Sequence, residues 1–109
     1  MAETRKILGQ AALSATTLTA IYTVPALTQA VVSTVTVTNR GGTTTTFRLS
    51  VAIAAAADDP KQYVYYDVSI PANETFASTV GITLNSGDIV RGYAGNGNLS
   101  FNIFGVEIV

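Results

Sequence analysis

The sequence predicts an all-β fold, an antiparallel β-sandwich of jelly-roll type built from seven or eight short strands. Three observations lead there. Thr (16), Val (12) and Ile (8) make up a third of the 109 residues, and β-branched side chains favour a pleated strand over a helix. Apolar residues alternate with Thr, Ser and Arg at period two, and no apolar stripe persists at helical spacing. Clusters of Gly, Asn, Asp and Pro punctuate the chain at short intervals. A chain of this length holds one domain.

In chain order, residues 1–16 carry Glu3, Arg5 and Lys6 and little apolar pattern, so they are expected to form an N-terminal arm outside the core, with only a weak strand signal over Lys6 to Gln10. The domain proper is then residues 17–109. Ala11 to Ala20 is too rich in Thr for a stable helix. Thr17 to Val24 reads as a strand stopped by Pro25. In Val31 to Asn39, strict alternation puts Val31, Ser33, Val35 and Val37 on one face and Thr34, Thr36 and Thr38 on the other. Asn39-Arg40-Gly41-Gly42 has the composition of a hairpin turn with left-handed positions. The expected return strand turns Phe47, Leu49, Val51 and Ile53 inward, each worth roughly 1.5–3 kcal/mol on burial before entropy is subtracted.

Ala54 to Ala57 fits a strand end or a short helical turn, and Ala57 to Lys61 a polar loop. Strands follow over Gln62 to Ile70, over Thr75 to Leu84 with Phe76, Val80, Ile82 and Leu84 inward, over Ile89 to Ala94, and over Leu99 to Ile108. The segments between them, Pro71 to Glu74, Asn85 to Asp88 and Gly95 to Asn98, are turns, the last a hairpin tip.

The chain contains neither His nor Cys. That removes the imidazole of a Ser-His-Asp triad, the thiol nucleophile, the soft metal ligands and any disulfide framework. Lys6 and Lys61, the two lysines, sit in the arm and in a turn, a poor setting for a Ser-Lys dyad. Asp58 and Asp59 read as turn chemistry, with a weak Ca²⁺ site as the alternative. Gly92 to Gly97 has the wrong spacing for a dinucleotide fingerprint and leads into a strand rather than a helix. No cofactor and no catalytic residue is expected. A formal charge of −1 supplies no electrostatic drive toward nucleic acid or an anionic membrane. The longest apolar run, Val51 to Ala57, is far short of the ~20 residues of a membrane span. Neither does Ile7 to Gln10 read as the apolar part of a secretory signal, so a product of the cytosol is expected.

Two features exceed what a lone core needs. Alternation that buries Val64, Tyr66, Val68 and Ile70 turns Tyr63 and Tyr65 outward, where they suit a protein contact, a sugar-stacking surface or cross-strand pairing on a wet face. In the last strand Leu99, Phe101 and Ile103 share one parity while Phe104, Val106 and Ile108 share the other. Either a bulge at Gly105 swaps the faces, or both faces are covered and the second is an interface between copies. Tyr63, Tyr65, Phe104 and Val106 are therefore the candidate interface residues, and Arg5, Lys6, Ile7 and Leu8 the candidate anchor within the arm, acting by strand addition to a neighbour.

The order of several strand and turn phrases resembles a group of small β-sandwich structural proteins of tailed bacteriophages. These phrases are Leu18 to Pro25, Ala30 to Arg40, Thr46 to Leu49, Ile70 to Thr75, Gly81 to Leu84 and Leu99 to Glu107. The resemblance covers most of the chain and implies a non-enzymatic virion component, made in the host cytoplasm. It carries no site residues, because the likeness lies in the scaffold. The expected role is a capsid decoration or cement protein that associates with itself, as a trimer or other small oligomer, and reinforces the shell through the major capsid protein. A tail, neck or fibre module touching a host glycan is the alternative, and a carbohydrate-binding module of a bacterial enzyme system a remoter one.

Overall fold

A computed structural model describes residues 2–109. It contains eight strands: β1 (Glu3–Ala12), β2 (Thr19–Thr23), β3 (Gln29–Asn39), β4 (Thr45–Ala52), β5 (Tyr63–Ile70), β6 (Thr75–Leu84), β7 (Ile89–Ala94) and β8 (Leu99–Ile108). They form two four-stranded antiparallel sheets, a front sheet in the order β1-β8-β3-β6 and a back sheet in the order β2-β7-β4-β5. In each of the pairs β1·β8, β2·β7, β3·β6 and β4·β5 the first half of the chain meets the second half in reverse order. The chain is thus one long antiparallel ribbon, and wrapping it brings β3 beside β8 and β4 beside β7. That wrapped ribbon is the expected jelly roll.

Phe47, Leu49, Val32, Val35, Val37, Val90, Leu99, Phe101 and Ile103 fill the space between the sheets. Phe47 sits at its centre, with ring centroids 5.0 Å from Phe76 and 6.1 Å from Phe101. Phe76, Val80, Ile82 and Leu84 point inward as expected. Near the chain ends the core becomes polar. The Tyr22 hydroxyl donates to Glu107 Oε2 at 2.6 Å, and Lys6 Nζ lies 2.9 Å from Glu107 Oε1. The Tyr22 bond first, and Lys6 second, hold the Glu107 carboxyl below its ordinary range, while burial and then Glu107 push the Tyr22 phenol up.

Several expectations are corrected. Apart from Met1, which lies outside the described residues, the first sixteen residues are not an arm beside the domain. Glu3–Ala12 is an edge strand of the front sheet, with Leu8 buried in the core and Leu13, just after the strand, buried as well. Little apolar pattern marks this strand because Leu8 is its one buried side chain. Asn39 to Gly42 does not close a hairpin, since β3 and β4 belong to different sheets. The buried Asn39 side chain instead braces an inter-sheet corner, its Nδ2 donating to Thr43 O at 2.8 Å and Ile70 O at 3.0 Å. Gly95 to Asn98 likewise crosses between sheets. Ile53 is 80% exposed, because β4 stops at Ala52 and a 3-10 turn over Ile53–Ala55 carries the chain away.

The faces of β3 also differ from strict alternation. Val32 and Thr34 pair with Gly105 and Phe104, so Ser33 is an extra residue, its Oγ donating to Phe104 O at 3.1 Å. A bulge of this kind reverses the parity before it. Val31 consequently faces outward, and Val32 takes the inward place with Val35 and Val37.

Candidate functional site

The outer face of the back sheet carries a cluster of aromatic and charged side chains. Arg48 on β4 is paired with Tyr93 on β7, and cross-strand partners share a face. Its guanidinium carbon lies 4.1 Å from the Tyr66 ring centroid and 4.4 Å from that of Tyr93, a cation between two aromatic faces. Asp67 closes the arrangement, with Arg48 Nε donating to Oδ1 at 2.7 Å. This bond is the chief reason the guanidinium is held above its ordinary value. The Tyr63 ring stands at 88° to Tyr66 with centroids 5.1 Å apart. Together with Pro60, Asp58 and Arg48 the two rings line an open groove. Burial, and then the Asp58 carboxylate, raise the Tyr63 phenol.

A bulge places these groups. Phe47 pairs with Val68 and Leu49 with Tyr65, so Tyr66 and Asp67 together oppose the single residue Arg48. Asp67 takes φ 52°, a left-handed conformation that Asp tolerates better than most residues. A second register shift between Leu49 and Ser50 leaves Val64 41% exposed. Of the expected outward tyrosines, Tyr63 does reach the outer face. Tyr65 is turned inward, with ring centroids 5.9 Å from Phe47 and 5.1 Å from Phe76, and its hydroxyl donates to Ser78 Oγ at 2.8 Å. Tyr66, expected in the core, is 58% exposed. The signal for this was Asp67 itself, a residue type depleted in strands. No local pattern singles out Tyr93.

The front sheet's outer face is different. β8 keeps its alternation through Gly105 without bulging, and its neighbours bulge instead, β3 at Ser33 and β1 at Leu8. Gly105 therefore points inward, where a Cβ would lie 2.1 Å from Val31 O. Phe104 and Val106 both face outward. Ile7 is paired with Phe104, and Arg5 and Val31 flank Val106. The result is an apolar strip, rimmed by Arg5 at one end and continued by threonines at the other. The four candidate interface residues are thus not one surface. Tyr63 lies on the back face, Tyr65 in the interior, and Phe104 and Val106 on the front face. Of the four candidate anchor residues, Arg5 and Ile7 join the front strip, Leu8 is buried, and Lys6 is tied to Glu107.

No protein-family model matches the sequence, and no curated protein matches it. Two solved structures of a pentameric capsid protein isolated from metagenomic phage sequences are similar to it. One has 15% identity and a TM-score of 0.37 over 93% of this chain; the other has 14% identity and a TM-score of 0.35 over 93%. The chain spans 59% and 60% of their lengths.

Proposed function

We propose that the chain is a non-enzymatic structural component of a phage virion, a capsid decoration protein that associates with itself and reinforces the shell across joints between major capsid subunits. The observation that carries this reading is the pair of chemically distinct contact faces on opposite sides of one sandwich. Tyrosine and arginine, which dominate the back face, are enriched at the energetic centres of protein interfaces. The apolar strip of Ile7, Val31, Phe104 and Val106 suits burial against a second neighbour. A module with two such faces binds two neighbours at once, and binding that favours the assembled lattice stabilises it by mass action. The order of strand and turn phrases shared with phage sandwich proteins points to the same setting.

A tail or fibre module is the second reading, favoured by the Tyr63–Tyr66 groove, whose aromatic faces beside Asp58 fit a sugar ring and its hydroxyls. Counting chains per purified particle by quantitative mass spectrometry tests both. Decoration requires copies in proportion to the major capsid protein. A few copies per particle favour the tail, and absence from particles removes both readings.

A further inference from the structure

The two sheets leave four edges, at β1, β6, β2 and β5, and proteins guard such edges against strand addition with charge, proline, bulges or shortness. Three of them are guarded. β1 carries Glu3, Arg5 and Lys6; β2 is five residues long and is followed by Pro25; β5 is broken by the left-handed bulge at Asp67. β6 has ten residues, TFASTVGITL, with no charge and no proline, and its register shift at Val80 and Gly81 opposite Ser33 leaves its side-chain alternation intact.

The backbone of β6 is turned to receive a partner. Glu74 O accepts from Asn39 N across the β3·β6 ladder at 2.8 Å. Alternation in an antiparallel ladder then sends the N–H and C=O groups of Thr75, Ala77 and Thr79 to the free side. Side chains alternate without interruption along the strand, with Thr75, Ala77, Thr79, Gly81 and Thr83 exposed and Phe76, Ser78, Val80 and Ile82 half-buried. Gly81 lies with Val80 opposite the single residue Ser33, at a bulge in the β3·β6 ladder. Its φ is not positive, and a Cβ there would meet nothing within 4 Å. With no side chain, the glycine at this bulge also leaves room for another backbone to approach.

From these observations we infer that β6 pairs with β6 of a second copy about a two-fold axis at Thr79. The exposed row Thr-Ala-Thr-Gly-Thr reads almost alike in both directions, as an isologous interface requires. In this register Thr75 meets the second copy's Thr83, Thr79 meets its own counterpart, and Ala77 meets Gly81. Threonine pairs are favourable across strands, and the small pair leaves room for close approach. On the inner row Phe76 meets Ile82. Two front sheets become one continuous sheet of eight strands. The inference goes beyond the virion reading and does not rest on it.

The test is native mass spectrometry and sedimentation of the purified chain at about 100 μM, beside Thr79→Lys and Thr79→Glu. Thr79 is exposed, so both variants remain folded, which circular dichroism checks. The wild type is expected as a dimer. Each variant alone is expected to dissociate at least about tenfold more readily, because like charges face each other across the axis. An equimolar mixture of the two variants is expected to restore pairing as a mixed dimer. Gln10→Lys, on the other edge of the same sheet, should leave the dimer intact. A monomeric wild type would overturn the inference, as would an oligomer of any size that both Thr79 variants leave unchanged. Dissociation of each variant without recovery in the mixture would overturn the Thr79 register.

Discussion

The front and back sheets share one core and the same number of strands, yet their outer faces differ in chemistry and in how they are made. The back face owes its chemistry to a bulge. Without the extra residue opposite Arg48, Tyr66 would point into the core and no ring would cover that side of the guanidinium. The front face owes its chemistry to a strand that does not bulge while its neighbours do, which keeps Phe104 and Val106 outward. Register, more than composition, therefore decides which side chains a jelly roll offers to a partner.

A substitution in the core that the two sheets share reaches both faces at once. Phe47→Ala removes the ring that touches Tyr65, Phe76 and Phe101. Truncations of this kind cost about 3–5 kcal/mol, and a single cooperative denaturant transition should report the loss of both faces together. Gly105→Ala acts on the front sheet alone. Its methyl group meets Val31 O, and the strain should cost about 1–3 kcal/mol, with the tyrosine near-ultraviolet signal of the back face preserved.

The polar joint between the sheets ranks next. Tyr22→Phe removes a hydrogen bond to a carboxylate and should lower stability by about 1–2 kcal/mol in urea unfolding. Its pH dependence follows from linkage. Glu107 has a depressed folded pKa, so its contribution is present above its ordinary value of 4.5 and is lost as pH falls through the folded value. Tyr22 has a raised folded pKa, so its contribution is present below its ordinary 10.0 and fades as pH rises beyond it. Stability measured against pH should therefore fall at both ends, and Glu107→Gln should flatten the acid limb.

The smallest effect is expected on the back face. Arg48→Ala loses an exposed ion pair and two ring contacts, worth less than about 1 kcal/mol in stability. It should nonetheless change the tyrosine near-ultraviolet spectrum, because Tyr66 and Tyr93 lose the group between them.

Fold class, strand number and most strand bounds were legible in the sequence, because period-two patterning and turn residues act locally. Pairing across the sandwich was not. Asn39 to Gly42 has the composition of a hairpin turn, and only the buried hydrogen bonds of Asn39 to distant carbonyls reveal a corner between sheets. Faces were legible wherever a strand kept its own alternation, as in β6, whose register shift against β3 does not change its parity. They failed in β3 and β5, where one inserted residue exchanged Val31 with Val32 and brought Tyr66 outward in place of Tyr65. In the last strand the alternation runs unbroken through Gly105, so Phe104 and Val106 lie on the outer face of the front sheet.

We propose that this sandwich works by contact within a virion. A cryo-electron-microscopy map of intact particles that carry the chain tests it most directly. The account predicts density for the jelly roll on the outside of the shell, over joints between major capsid subunits, with the Tyr66–Arg48–Tyr93 face or the Phe104–Val106 strip against a neighbour. Complete particles with no density for the chain, or a chain bound with both faces in solvent, would contradict it.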